Sequence, residues 1–271
     1  MEYDPIKKHL GKIFKRNVFT LRLFYFILDV LFLRAWYIHR EIKRIALSFN
    51  KTDRITVLDA GSGFGQYSWY IARKYKSWII KGIDIKEKEV KECSEFFSKA
   101  GLNNVNFDIE DLTEFSEPQA YNIILSVDVL EHILDDVKVM ENAYKSLKSG
   151  GMLLISTPSD QGGSDIHSED DTSFISEHVR DGYSIKDIHE KLEKVGFNKV
   201  NAKYSYGKFG SLSWRLSIKY PVSMLNFSKF FFFLLPIYYL LFFPLCFWLN
   251  ILDVNVKNSK GTGLIVVARK K

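Results

Sequence analysis

The residues best suited to chemistry in this 271-residue chain are three glycines and the two aspartates that bracket them. Residues 57–75 read VLDAGSGFGQYSWYIARKY, so Gly61, Gly63 and Gly65 lie between an apolar run and a helical segment, with Asp59 two places ahead. Glycine accepts positive φ and lets a ligand reach the backbone with no Cβ in the way. The helix that follows aims its first N–H groups at the turn. The order is G-x-G-x-G, not the G-x-G-x-x-G of dinucleotide sites, and no Gly-Lys-Ser/Thr of a phosphate loop is present. Asp59 beside the turn would repel a pyrophosphate and suits a ligand carrying a positive amine. A second carboxylate, Asp84 in KGIDIK, ends the next β-type run, at the interval where a carboxylate meets ribose hydroxyls. Its two oxygens can accept from both vicinal OH groups.

The elements that must hold these residues are legible from periodicity. Residues 55–60, 78–83, 105–107, 121–127 and 152–156 read as strands. Residues 66–74, 86–100, 131–147 and 184–195 read as helices, with Gly101 and Gly196 as stops. This alternation predicts a doubly wound α/β sheet of parallel strands and crossover helices. The closing GLIVVARKK has strong β-propensity and serves as a last strand. Three regions follow: an amphipathic helical region over 1–50, a cofactor-binding domain over 51–206 with 262–271, and a hydrophobic helical insertion over 207–261.

On these residues the chain resembles the class I S-adenosylmethionine-dependent methyltransferases, of the type 11-like kind. VLDAGSGFGQYS is similar to their motif I and GIDI to motif II. FDIEDL is similar to the acidic motif beside the adenine, YNIILSVDVLEHI to motif IV, and LKSGGMLLISTPS to the segment after it. The resemblance covers about 52–160 and implies a Rossmann-like, seven-stranded, mostly parallel sheet with an antiparallel closing strand. It also implies S-adenosyl-L-methionine as cofactor. Asp59 is then expected at the methionyl end, with Gly61, Ser62, Gly63 and Gly65 forming the backbone cradle. Asp84 is expected to hold the ribose, with Ile85 packing on the adenine. Asp108 and the Ile109 backbone are expected at the adenine amino group, and Ser126 under the sulfonium.

Methyl transfer needs a nucleophile held in line with the methyl group, and a base only where the nucleophile must lose a proton. His132 is the candidate base. Asp128, Glu131 and His132 also fall at i, i+3 and i+4, one face of a helix if the helix begins early enough. They could offer two oxygens and a nitrogen to a divalent cation, and some quinone O-methyltransferases show a similar run. His167, Glu169, Asp170 and His178 could add a ligand. The preferred reading is a site without metal, because such clusters usually cap helices and form ion pairs.

The two cysteines, Cys93 and Cys246, stand in dissimilar contexts and form no metal knuckle, which points to a reducing compartment. No signal peptide is read at the N-terminus. The formal net charge of +6 would suit an anionic membrane surface, whereas no base-flipping motif or RNA-binding module argues for nucleic acid. Residues 14–49 are rich in Leu, Phe and Arg and read as amphipathic helix packed on the domain. Residues 230–249 carry no charge over a length able to reach across a hydrocarbon core. Pro236 and Pro244 should interrupt that helix, and the closing strand must return to the sheet. A hairpin dipping into one leaflet is therefore expected, with Lys219, Lys229 and Lys257 at the rim. The expected protein is cytoplasmic, at the inner face of a membrane, and its acceptor is small or amphiphilic, with oxygen preferred as the methylated atom. The competing readings are an inactive membrane-associated scaffold and an NAD-dependent oxidoreductase.

Overall fold

The apolar runs become seven strands of one sheet: β1 Thr56–Ala60, β2 Ile79–Asp84, β3 Val105–Ile109, β4 Tyr121–Val127, β5 Leu147–Pro158, β6 Lys199–Ser205 and β7 Gly263–Arg269. The structure is a computed structural model describing residues 18–50, 53–162 and 179–271. The strand order is β3-β2-β1-β4-β5-β7-β6. The first five strands pair in parallel, and β7 runs antiparallel between β5 and β6. β1 and β4 are buried on both faces, which is why they read as near-continuous apolar runs. The order reverses between β1 and β4, so a crevice must open there at the carboxyl ends of the strands.

Crossover helices cover the sheet: α3 Gln66–Lys74, α4 Glu87–Lys99, α5 Asp136–Ser146 and α6 Ile185–Val195. Ahead of them in the chain are α1 Val18–Leu31 and α2 Leu33–Ala46. Their apolar stripes, including Phe24, Tyr25, Leu28, Tyr37, Ile38 and Ile42, are buried in the same core as Val57, Ile80 and Leu125. The apolar stripes of α1 and α2 are therefore spent on the protein's own sheet.

The helix expected over 131–147 is shorter than its pattern. Leu130–His132 forms a single 3₁₀ turn, Ile133 is extended, and α5 begins only at Asp136, capped by the Asp135 carboxylate, which accepts from the Lys138 N–H. Arg180 holds the intervening segment open by donating to the Ile133 and Leu134 carbonyls and to the Asp136 carboxylate. Apolar periodicity cannot register a guanidinium that arrives from 44 residues away.

The insertion before β7 is mostly helical between Lys208 and Asn255. α7 Lys208–Trp214 runs through a π-type turn, Arg215–Lys219, into α8 Tyr220–Phe227; a 3₁₀ segment, Lys229–Phe233, leads to α9 Leu235–Asn255. Pro236 sits in the first turn of α9, where its missing N–H costs nothing, and Pro244 lies inside the helix without ending it. The interruption expected there does not occur. The far end of α9 is tied to the body through Asp253, which is fully buried. Its carboxylate accepts from the Gly210 N–H at 2.9 Å and from the Tyr37 hydroxyl at 2.8 Å. Gly210 is required at that crossing, since a Cβ would stand 2.5 Å from Leu33.

Candidate active site

The glycine turn after β1 is fixed from several sides. Gly61, Gly63 and Gly65 all have positive φ, and a Cβ on Gly61 would lie 2.4 Å from a Val129 methyl. Larger residues are thus excluded at 61 by both backbone and space. The Gly61 and Ser62 N–H groups donate to the Ile83 carbonyl at 2.9 and 2.8 Å, joining the turn to the end of β2. Asp84 completes that join. One of its oxygens accepts from the Gly63 N–H at 2.9 Å and the other from the Lys86 N–H at 3.0 Å. The N-terminal helices reach the same turn: Tyr25 donates to the Phe64 carbonyl, and Gln66 donates to Asp29 at 2.7 Å.

Asp59 is buried and accepts from the Ser68 hydroxyl at 2.7 Å and from the Ser68 N–H at 3.2 Å, inside the first turn of α3. Burial pushes its carboxyl up to about 6, opposed by Ser68 and assisted by the nearby Asp84 charge. The site thus holds a carboxylate short of a cation. Binding of an ammonium-bearing ligand there should favour ionised Asp59 and expel a proton. Adenosylhomocysteine affinity should then be flat above about pH 7 and weaken as pH falls through 6, by up to about tenfold per pH unit. Calorimetry across pH 5 to 8 checks this, and Asp59→Asn should bind more weakly with a flat profile.

The expected adenine residues take two positions. Ile85 and Ile109 are exposed at 63% and 51%, and Ile109 stands in register with Asp84, so an apolar shelf flanks the Asp84 carboxylate. Asp108 turns to the other face of β3 and pairs with Lys81 at 3.1 Å. Ser126 ends up in register with Ala60, with its hydroxyl buried and unpartnered beside a small apolar hollow of about 20 Å³. The Ser62 hydroxyl is likewise buried in the turn with no partner. That orphaned group, the isoleucine shelf and the cation-seeking Asp59 fit a nucleoside with a charged amino-acid tail. Asp59, Ser62, Asp84, Ile85 and Ile109 are the residues that would hold it.

A solvent-open cleft of about 210 Å³ lies at the carboxyl ends of β4 and β5. It adjoins the glycine turn, because Val129, next to the lining residue Asp128, is the side chain that packs on Gly61. Arg34, from the start of α2, forms an ion pair with Asp128 and lies within hydrogen-bonding reach of Tyr67 on α3. The Arg34 N–H donates to the Tyr206 hydroxyl at 3.0 Å. Trp214 and Arg215, from the base of the insertion, line the same cleft. Sequence reading passed over Arg34, Tyr206, Trp214 and Arg215, and no local pattern marks them, since only the tertiary fold brings them together.

The one-face arrangement of Asp128, Glu131 and His132 does not form. Asp128 has a left-handed backbone, φ 53°, and is committed to Arg34, while Glu131 is buried and accepts from the Thr157 hydroxyl at 3.2 Å. Among the described residues no group of three His, Cys, Asp or Glu side chains is placed to hold a metal ion. His167, Glu169, Asp170 and His178 lie outside the described residues. His132 is half-buried at the end of the 3₁₀ turn, three residues past Val129, and its N–H donates to the Val129 carbonyl at 3.0 Å.

Fold and turn together define a nucleoside-binding α/β domain, and comparison with known proteins makes the class specific. A family model described as a methyltransferase domain matches residues 51–204. The chain belongs to that family, within the class I S-adenosylmethionine-dependent methyltransferases. A phosphoethanolamine N-methyltransferase 1 of Triticum aestivum is 32% identical over 149 residues, 54% of this chain and 29% of the wheat protein. A ubiquinone biosynthesis O-methyltransferase of Neisseria meningitidis is 31% identical over 107 residues, 37% of this chain and 43% of that protein. The chain thus spans less than half the length of either relative. Among solved structures, a phosphoethanolamine N-methyltransferase 2 of Haemonchus contortus in complex with S-adenosyl-L-methionine has a TM-score of 0.62. It is 17% identical, with 97% of this chain and 59% of that one covered, which shows the fold alone.

Proposed function

We propose that this protein transfers the methyl group of S-adenosylmethionine to a hydroxyl oxygen of an amphiphilic acceptor taken from the cytosolic face of a membrane. The observation that carries this reading is the helical hairpin formed by α7, the π-type turn and α8 on one side and α9 on the other. Its two ends are built into the domain, at α7 and at Asp253, while Phe227, Phe230, Phe232, Phe233, Leu240 and Leu241 are each 66% exposed or more. α9 is the one helix among the described residues long and apolar enough to cross a bilayer, and only 17% of its most apolar stretch is buried. With both ends of the hairpin held to the domain, α9 reads as a dip into one leaflet. Its base forms one wall of the cleft beside the glycine turn.

When bound, the cofactor supplies a methyl already activated on a cationic sulfur. The chain's own residues then have three tasks. Asp84 and Ser62 hold the nucleoside, Asp59 balances the positive tail, and the cleft brings the acceptor hydroxyl into line. His132 would take the proton from the acceptor hydroxyl as its oxygen is methylated. The O-methyltransferase relative supports oxygen, and the phosphoethanolamine relatives make nitrogen the competing atom.

Incubation of the protein with methyl-labelled cofactor and total cell extract, followed by organic and aqueous partition, tests the proposal. Label is expected in the organic phase, with His132→Ala about 100-fold slower. Label confined to aqueous metabolites would remove the amphiphile from the proposal.

A further inference from the structure

The helix α1 is apolar on two sides. Its inner side, with Phe24, Tyr25 and Leu28, is sealed in the core. A second stripe at i, i+4 and i+7, formed by Phe19, Leu23 and Phe26, is 74%, 41% and 63% exposed. A helix that only covers a core turns polar residues outward, and a contiguous exposed apolar stripe marks a contact surface. The stripe leads towards the hairpin. At the end of α1 the Trp36 indole donates to the Val30 carbonyl at 3.2 Å, and its ring meets Phe247 of α9 at 5.1 Å. Phe247 lies 6.3 Å from Phe243 on the same helix. One tryptophan, a residue suited to the boundary between water and hydrocarbon, thus joins α1 to the apolar face of α9. Charge is placed to match. Arg22 is exposed within the stripe, its guanidinium 5.7 Å from the Trp69 ring. In the sequence leading into α1, residues 7–16 include Lys7, Lys8, Lys12, Lys15 and Arg16 and no acidic residue. Cations beside an apolar helix face suit anionic headgroups. The inner side of the same helix holds the methyl-donor turn, where Tyr25 donates to the Phe64 carbonyl and Asp29 accepts from Gln66 at 2.7 Å.

We propose that the outer face of α1 is a second bilayer contact, which together with the hairpin sets the glycine turn directly behind a membrane-facing helix. A single hairpin anchors the domain but leaves it free to swivel, whereas a second contact fixes its orientation. Two linked contacts also multiply their partition coefficients, so loss of either one releases much of the protein. This rests on the reading of the protein as one that works at a membrane, and it adds which side of the domain faces the lipid.

Vesicles of phosphatidylcholine and phosphatidylglycerol test it on the full chain. Changing Phe19, Leu23 and Phe26 together to serine should weaken co-sedimentation at least about tenfold, with thermal unfolding confirming that the variant folds. A second measurement does not depend on that variant. Both native cysteines are buried, so a polarity-sensitive thiol dye can be attached selectively to a Phe26→Cys variant. The control is Lys186→Cys on α6, an exposed position on a helix that packs against the other face of the sheet. On addition of vesicles the dye at position 26 should shift to the blue and the dye at position 186 should not. A serine variant that sediments like the unaltered protein, or a dye at position 26 that vesicles leave unmoved, overturns the proposal. A dye at position 26 already shielded without vesicles, and unmoved by them, would mean that the chain itself covers the stripe. The hairpin is judged separately, by changing Phe232, Phe233, Leu240 and Leu241 to serine. If that variant still sediments while α1 responds as expected, the hairpin reading fails and the α1 contact stands.

Discussion

Asp84→Ala is expected to weaken adenosylhomocysteine binding by about 100-fold or more. The Asp84 carboxylate accepts from the Gly63 N–H and from the Lys86 N–H, so it pins the glycine turn to the end of β2 and shapes the entry to α4. Hydrogen bonds to a charged group contribute about 1.5–3 kcal/mol each. Loss of the carboxylate frees the turn and also removes the acceptors proposed for the ribose. Two such interactions amount to about 3 kcal/mol or more, which is a factor of about 100 in affinity. Asp84→Asn keeps the shape and one acceptor oxygen, and should fall between alanine and the natural residue. Calorimetry gives the affinities, and thermal unfolding of the ligand-free variants separates a loosened turn from a lost ligand contact. An alanine variant that binds within about threefold of the unaltered protein would mean that the nucleoside does not sit at this strand end.

How much of this was legible in the sequence depended on how local each cause is. The turn at Gly61–Gly65 is written in consecutive residues, and so are the apolar runs of β1 and β4 and the capped start of α6, where the Ser184 hydroxyl accepts from the Asp187 N–H. The shortening of α5 was not legible, because its cause is Arg180 reaching back to Ile133 and Leu134. Pro244 gave a misleading signal, since one missing N–H on an exposed helix is tolerated where α9 is held at its far end by Asp253. β6 carries only weak alternation, Val200, Ala202 and Tyr204, because it is an edge strand with one antiparallel partner. The cleft beside the glycine turn was the least legible part. Arg34, Asp128, Tyr206 and Arg215 are separated by most of the chain, and each looks like an ordinary helix or loop residue in its own neighbourhood. His132 could be put forward as a candidate base from its place after the fourth strand, whereas the Arg34–Asp128 pair beside the same loop could not be foreseen.

Changing Phe232, Phe233, Leu240 and Leu241 together to serine should release the protein from membranes. These side chains are 66–76% exposed, so they contribute little to the folded core and their cost falls on whatever covers them. Transfer of a Phe or Leu side chain out of water is worth about 1.5–3 kcal/mol. Four of them, partly immersed, sum to roughly 4–6 kcal/mol, or about a thousandfold or more in the partition coefficient. Co-sedimentation with vesicles containing anionic lipid should therefore move from the pellet to the supernatant. Adenosylhomocysteine affinity should stay unchanged, because the glycine turn and Asp84 lie on the sheet and not on the hairpin. The basic rim adds a second, separable dependence. Lys229 and Lys257 flank the apolar hairpin, and attraction to anionic headgroups is screened as salt rises, whereas apolar immersion is not. The unaltered protein should keep most of its vesicle binding at high salt if the aromatic face carries the attachment. If binding disappears with salt, and the four-serine variant sediments like the unaltered protein, then the exposed face is not what meets the bilayer. The hairpin would then be a cover for another protein surface, and the acceptor would have to reach the cleft from water.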